Sequence, residues 1–177
     1  MQPEVILVDA SDTVIGKAEK LLVHQTGQLH RAVSVWLFNT HNQTLLQKRS
    51  LEKYHSGGQW SNTCCTHPEP NESSVHGASR RLLYEMGIST NLHFAFSFIY
   101  NAQLENGLIE HELDHVFFGK WNGYPQPASE EVMDWKWISM SDLQHEITTT
   151  PDQFTYWLKA MWNQHFEDIQ NSLRICS

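Results

Sequence analysis

Three acidic side chains occupy every second position near the middle of the chain. Glu110, Glu112 and Asp114 lie in a stretch, residues 109–116, whose pattern predicts a strand. Because strand side chains alternate between two faces, the three carboxyl groups share one face, with neighbours about 6.5–7 Å apart. Glu110 and Glu112 could bind one divalent cation together, or one could bind it while the other transfers protons. A solvated strand face is the alternative.

A thiol and an imidazole occur together in residues 62–68, Asn-Thr-Cys-Cys-Thr-His-Pro. In an extended conformation Cys65 and His67 point to the same side and Cys64 points to the other. The pattern therefore selects Cys65 as a nucleophile, a zinc ligand or a proton carrier. A small buried side chain beside a hydrogen-bonded histidine is the alternative.

The chain contains eleven histidines, a number that invites a search for metal-ligand spacing. His24 and His30 flank a predicted turn at Thr26 and Gly27, so their side chains could point toward one site. Six residues is not a diagnostic spacing for metal ligands. A surface position is the alternative for either histidine.

The elements that must position these side chains are strands and helices in mixed order. Strands are predicted at residues 5–8, 30–39, 44–47, 60–67, 94–102, 109–121 and 134–139, with 44–47 as the hairpin partner of 30–39. Helices are predicted at residues 17–24, from an N-cap at Asn71 to Gly87, and from Pro151 to about residue 172. This order predicts an α+β domain whose helices flank a mixed or antiparallel sheet.

Length and charge limit the classes of protein that the chain can belong to. With 177 residues and 40% hydrophobic content, we expect residues 1–177 to form a single domain. The net charge of −8 argues against binding nucleic acid or an anionic membrane. Residues 1–13 lack a secretion signal, no apolar run of membrane-spanning length follows, and three cysteines make a poor disulfide framework. We therefore expect a cytoplasmic monomer.

Seven short segments, in order and at matching spacing, resemble the type I isopentenyl diphosphate isomerases, whose fold is an elaborated Nudix domain. The resemblance runs nearly end to end. The segments are His24, Leu29-His30, Trp-Leu-Phe-Asn at 36–39, Trp-Ser-Asn-Thr-Cys-Cys-Thr-His-Pro at 60–68, Tyr-Glu-Met-Gly at 84–87, Glu-His-Glu at 110–112 and Glu-Val-Met-Asp at 131–134.

The resemblance implies two metal sites. The first would hold zinc, manganese or magnesium, and its ligands would be His24, His30, His67, Glu110 and Glu112. Imidazole ligands favour zinc or manganese over magnesium, which prefers oxygen. Glu85 is implied as a ligand of a second magnesium that also holds the diphosphate. An ion pair with Arg81, four residues earlier on the same helix, is the alternative.

The resemblance also implies how a small prenyl diphosphate would react. It implies Cys65 and Glu112 as the two proton carriers. We assign the direction: Glu112 would protonate the terminal methylene carbon and Cys65 would remove a proton from the carbon next to the one bearing the diphosphate, with the roles exchanged in reverse. Tyr100 would hydrogen-bond to Glu112, and the ring of Trp157 would stabilise the cationic intermediate, unless Trp157 is only a core residue. The diphosphate would be held by Lys20, Arg49, Lys53 and Arg81, although any one of these could be an ordinary surface charge.

Departures from the hydrolytic Nudix sequence favour isomerisation over hydrolysis. Arg81 and Tyr84 stand where a nucleoside diphosphate hydrolase would carry acidic metal ligands. Without these carboxylates the helix cannot assemble the usual metal cluster for cleaving a phosphoanhydride. Thr66 stands where the hydrolase pattern begins with Gly, and it departs from the isomerase pattern too. A Nudix-type diphosphate hydrolase and a non-enzymatic binding module are the alternatives.

Overall fold

The structure, a computed structural model, describes residues 3–175, with side chains described up to residue 171. Within these residues the chain forms nine strands and four α-helices. The strands are β1 (Glu4–Val8), β2 (Val14–Glu19), β3 (His30–Phe38), β4 (Gln43–Arg49), β5 (Trp60–Ser61), β6 (Cys64–Thr66), β7 (Leu92–Gln103), β8 (Ile109–Lys120) and β9 (Val132–Ser139). The helices are α1 (Lys20–Thr26), α2 (Ser74–Met86), α3 (Met140–Thr149) and α4 (Tyr156–Ile175).

Strand β3 lies at the centre of the sheet and is buried on both faces. Val35 and Leu37 pack in a core with α2, whereas Trp36 and Phe38 pack in a second core with α3 and α4. Helices therefore cover both faces of the sheet, which explains why the sequence of β3 reads as a continuous apolar run rather than an alternating one.

The sheet is mixed, and the α+β prediction is confirmed. β3 pairs with β8 in parallel over nine residues, and β8 pairs with β7 antiparallel. The predicted hairpin of β3 and β4 is paired only at Phe38 and Thr44, because β4 then leaves β3 and pairs with β9 along its whole length. No helix within the described residues is long and apolar enough to cross a membrane.

The predicted starts of the first two helices were wrong. Residues 17–19 belong to β2, where Lys17 pairs with Ile6 of β1, and α1 begins only at Lys20. Helix α2 is capped by Ser73, whose Oγ accepts a hydrogen bond from the His76 N–H at 3.4 Å. Asn71 has a φ of 71°, a left-handed conformation that suits a turn and not an N-cap.

The C-terminal part contains more structure than the sequence predicted. Helix α3 was missed, although Ser139 caps it by accepting the Asp142 N–H at 3.1 Å. Pro151 begins a short 3-10 turn (Pro151–Gln153), and α4 starts only at Tyr156. Cys64 and Cys65 are free thiols, whereas Cys176 lies outside the described residues.

Gly87 ends α2 in the left-handed region, with a φ of 67°. A Cβ at this position would lie 2.9 Å from the Gln126 carbonyl oxygen. We expect Gly87→Ala to lower the free energy of unfolding by about 2 kcal/mol or more, since conformational strain and a backbone clash add. Gly107→Ala is the matched control: its φ is 72° with no atom within 4 Å, so about 1 kcal/mol is expected. Equal losses in denaturant titrations would contradict the clash.

Candidate active site

Strand pairing brings the predicted site residues together on the face of the sheet that α4 covers. His30 of β3 lies directly beside Glu112 of β8, which in turn lies opposite Tyr100 of β7. On the other side of β3, Ser34 is paired with Cys65 of β6. Residues that are far apart in sequence thus form one continuous surface.

This surface forms the floor of a pocket with an empty volume of about 550 Å³, which includes its open mouth. His24 and His30 are fully buried. The predicted site residues that line the pocket are Lys20, Arg49, Lys53, Cys65, His67, Arg81, Glu85, Tyr100, Glu110, Glu112 and Trp157.

Four of the five predicted ligands of the first metal converge. One ligand atom from each of His24, His30, His67 and Glu112 lies within 4.8 Å of all the others. His24 donates its Nδ1–H to the Lys20 carbonyl at 2.7 Å, which leaves Nε2 as a buried lone pair with no hydrogen-bond partner. These residues therefore fit a divalent cation.

His30 is oriented by a main-chain hydrogen bond in the same way as His24. His30 donates Nδ1–H to the Gln28 carbonyl at 2.9 Å, so its Nε2 also carries a lone pair. That nitrogen faces His67 Nε2 at 3.1 Å. Burial lowers the pKa of His67 well below its ordinary value, with a contribution from Lys20, so this imidazole is neutral, as a metal ligand must be.

Glu110, the fifth predicted ligand, lies in an adjacent group with His24 and His55. Tyr100 Oη lies 2.6 Å from Glu112 Oε2 and 3.2 Å from Glu110 Oε2, and it donates to the nearer carboxylate. Burial and the Glu112 charge raise the pKa of Glu110. Burial alone would raise that of Glu112 too, but the imidazoles of His67 and His30, whose Nε2 atoms lie 2.9 and 3.5 Å from its Oε1, hold it well below its ordinary value.

The thiol of Cys65 faces the pocket, as strand alternation predicted. Trp157 Nε1 donates to its Sγ at 3.0 Å, and the S–H can donate to Asn62 Oδ1 at 2.9 Å. Burial raises the pKa of Cys65 to about 12, with Asp114 adding to the effect, so the group is a thiol at neutral pH. Cys64 instead packs in the same core as Leu82 of α2.

The acidic face of β8 is buried, so the alternative of a solvated strand face is wrong. Asp114 is 1% exposed, and its Oδ2 accepts a hydrogen bond from Ser34 Oγ at 2.7 Å. Burial and the Glu112 charge raise its pKa to about 8. Asp114 thus lies behind Cys65, separated from the thiol by Ser34, whose Oγ is 3.6 Å from Sγ.

The four predicted diphosphate contacts all line the pocket. The Arg49 guanidinium lies 5.1 Å from the ring centroid of Trp157, so this ring already faces a cation. Lys53 and Arg81 both form ion pairs with Glu131. These cations come from separate elements, which explains how an acidic chain concentrates positive charge.

Glu85 makes the ion pair that the sequence offered as an alternative. Its Oε1 accepts from Arg81 at 2.7 Å, and its Oε2 accepts from Gln47 Nε2 at 3.0 Å. Glu85 is nevertheless at the pocket wall. Its role as a magnesium ligand stays a prediction.

Sequence reasoning gave no role to three residues that contact the site. His55 faces Glu110, Asn62 contacts Cys65, and Ser34 joins Cys65 to Asp114. Asn62 stands inside the segment that carried the family resemblance, so its position there was a usable signal. Ser34 carried none, because only strand pairing places it beside the thiol.

A family model described as the NUDIX domain matches residues 28–158. The fold is similar to that of DR0079 from Deinococcus radiodurans, with a TM-score of 0.74, 14% identity and coverage of 92% of this chain and 99% of that one. It is also similar to a MutT protein from Methanosarcina mazei Go1, with a TM-score of 0.60, 18% identity and coverage of 81% and 91%. The chain belongs to the Nudix-domain proteins.

Relatives with higher sequence identity to this chain identify a narrower family within the Nudix-domain proteins. Isopentenyl-diphosphate Delta-isomerase 2 of Aromatoleum aromaticum is 49% identical over 160 residues, covering 90% of this chain and 85% of that protein. Isopentenyl-diphosphate Delta-isomerase of Pectobacterium atrosepticum is 48% identical over 156 residues, covering 88% and 87%. Within the Nudix-domain proteins, this chain belongs to the isopentenyl-diphosphate Delta-isomerase family.

Proposed function

We infer that the chain is an isopentenyl-diphosphate Delta-isomerase, an enzyme that interconverts isopentenyl and dimethylallyl diphosphate. Besides the family membership, one observation of the structure supports this function. A thiol, Cys65, and a carboxyl group, Glu112, line one pocket together with the four basic side chains that an acidic chain would need for a diphosphate. The reaction adds one proton and removes another, so two proton carriers are what the chemistry requires.

We propose that Glu112 protonates the terminal methylene carbon and that Cys65 accepts the proton from the carbon next to the one bearing the diphosphate, with roles exchanged in reverse. The raised pKa of Cys65 keeps a proton on the thiol and the lowered pKa of Glu112 leaves its carboxyl group ionised, which is the distribution that the reverse reaction needs. The order of the two transfers therefore stays a prediction. Trp157, which donates to the thiol, also presents its ring to the pocket.

The proposed metal ligands are His24, His30, His67, Glu110 and Glu112, and zinc, manganese or magnesium is the proposed cation. A cation held there would fix the Glu112 carboxyl group and lower its pKa. Glu85 is proposed to hold a second magnesium with the diphosphate. Its position supports this role, because Glu85 lines the pocket beside Arg81, one of the proposed diphosphate contacts.

We propose that residues 1–177 form one isomerase domain that acts as a cytoplasmic monomer without nucleic acid or membrane partners. The net charge of −8 supports the absence of both anionic partners.

The reaction can be tested in D2O with isopentenyl diphosphate and each divalent metal. Formation of dimethylallyl diphosphate carrying solvent deuterium is the expected result. Release of phosphate from nucleoside diphosphate substrates would instead favour a Nudix hydrolase. Neither conversion nor deuterium exchange, with every metal tried, would favour a binding module and contradict the proposed function.

The lowered pKa of Lys20 predicts that kcat/KM depends on pH. Burial, with Arg49, Lys53 and Arg81 nearby, lowers its pKa to about 8, although Glu112 opposes the shift. The ammonium form exists below this pKa, so the charge is lost as pH rises through about 8. We expect kcat/KM to fall above this pH, toward a limit about ten- to a hundredfold lower, because one charge-assisted contact to the diphosphate is lost.

Lys20→Arg is the control for this pH dependence, because a guanidinium keeps its charge in this range. The variant should retain a flat kcat/KM above pH 8. A decline of the same size and midpoint in both proteins would contradict the assignment to Lys20.

A further inference from the structure

His55 lies in the loop between β4 and β5, yet only 6% of it is exposed. Arg49 Nη2 donates to the His55 carbonyl at 3.2 Å, and the Ser56 N–H donates to Glu105 Oε1 at 2.6 Å. Ser56 has a φ of 52°, a left-handed conformation that costs a non-glycine residue about 1–2 kcal/mol. The backbone of the loop is therefore strained at Ser56, next to the residue, His55, whose imidazole points inward.

The ring of His55 faces the predicted metal ligands. Its Nε2 is 3.5 Å from Glu110 Oε1, and its ring stacks on that of His24 with centroids 6.1 Å apart. One ligand atom from each of His24, His55 and Glu110 lies within 4.8 Å of the other two. This group shares His24 with the group of His30, His67 and Glu112, so the two are adjacent parts of one centre.

The separation of His55 and Glu110 suits a shared cation better than a hydrogen bond. A distance of 3.5 Å is too long for a strong N–H···O bond. Two ligand atoms that share one divalent cation at bond lengths of about 2.0–2.2 Å lie about 3.0–3.4 Å apart. His24 Nε2, which has no hydrogen-bond partner, is available on the same side.

We propose that His55 is a further ligand of the divalent cation, which it reaches beside Glu110 and His24. The inference rests on the metal site proposed above and extends it to a fourth imidazole. Such a ligand set binds borderline cations such as zinc or manganese in preference to magnesium, which favours oxygen. His55 thus becomes a determinant of metal selectivity.

Metal binding by the full chain tests this proposal without reference to activity. The metal-stripped protein is titrated with Zn²⁺ and, separately, Mg²⁺ against a chelating indicator, and the Co²⁺-loaded protein is examined by visible absorption. His55→Gln keeps a similar size and polar contact with Glu110 but removes the nitrogen lone pair. It should weaken Zn²⁺ binding at least about tenfold, leave Mg²⁺ binding nearly unchanged and alter the Co²⁺ spectrum.

Two variants serve as the negative and the positive control for metal binding. His76→Ala changes an exposed histidine on α2 and should bind all three metals as the wild-type chain does. His67→Ala should lose Zn²⁺ affinity, because His67 belongs to the main group of ligands. Circular dichroism checks that each variant is folded, and His55→Gln, rather than a truncation to alanine, limits the loss of packing.

The outcomes distinguish the assignment of His55 from the metal site itself. Wild-type Zn²⁺ affinity and an unchanged Co²⁺ spectrum in folded His55→Gln would overturn the assignment while leaving the site intact. Equal weakening of Zn²⁺ and Mg²⁺ would overturn it too, since this result indicates a role in positioning Glu110. A wild-type chain that binds no metal would refute the site and the assignment together, whereas the D2O reaction would remain a separate test of the isomerase.

Discussion

Cys65→Ala is expected to lower kcat for isopentenyl diphosphate isomerisation by about 10³-fold or more, and to abolish deuterium exchange from D2O. The estimate follows from the usual contribution of a positioned proton carrier. The thiol lines the pocket and contacts Trp157 Nε1 and Asn62 Oδ1 at 3.0 and 2.9 Å. None of these neighbours can replace it, because an indole N–H and an amide do not exchange protons with carbon at neutral pH.

Cys64→Ala is the matched control, since the same substitution is made at the adjacent position. Cys64 points to the other face of β6, where it is 1% exposed and packs with α2. We expect most of the activity to remain and the free energy of unfolding to fall by about 1 kcal/mol. Deuterium exchange that survives in Cys65→Ala and disappears in Cys64→Ala would refute the assignment.

Glu112→Gln is expected to reduce kcat by a similar factor, about 10³-fold or more, for two reasons that must be separated. Glu112 is a proposed proton carrier, and one of its oxygens also lies in the group of metal ligands. His67→Ala removes a ligand from the same group without removing a proposed proton carrier. Saturating Zn²⁺ or Mn²⁺ should therefore restore part of the activity of His67→Ala and none of that of Glu112→Gln.

Removal of the Tyr100 hydroxyl is expected to have a smaller effect on kcat than removal of either proposed proton carrier. It donates to Glu112 Oε2 at 2.6 Å, so Tyr100→Phe removes one hydrogen bond and leaves the carboxyl group in place. We expect a loss of about ten- to a hundredfold in kcat, with metal affinity nearly unchanged.

The outcome that would contradict the role of Glu112 as a proton carrier concerns the metal titration. Activity of Glu112→Gln that recovers with excess metal as far as that of His67→Ala would show that Glu112 acts only as a ligand.

Local patterns in the sequence were sufficient to place several side chains. Strand alternation separates Cys65 from Cys64 and puts Glu110 and Glu112 on one face, and the structure agrees with both. Spacing of three and four residues, with Gly87 at the end, predicts α2. These features depend only on backbone geometry within one element, which residue types reveal directly.

The family resemblance extended this reasoning to residues whose spacing means little. It joined His24 and His30 to His67, and the structure brings the three imidazoles together. It did not include His55, and it placed Glu110 with the other four ligands, whereas in the structure Glu110 lies with His24 and His55. Local pattern and resemblance together thus left the internal arrangement of the centre open.

The sequence by itself determined which faces carry the thiol and the carboxyl groups, while only the tertiary structure decided what surrounds them. Parallel pairing of β3 with β8 sets His30 beside Glu112, and the cover of α4 buries the acidic face that could otherwise have been solvated. Pairing between distant segments and exclusion of water depend on how the whole chain packs. The shifted pKa values of Cys65, Glu110 and Lys20 follow from that burial, so no local pattern could contain them.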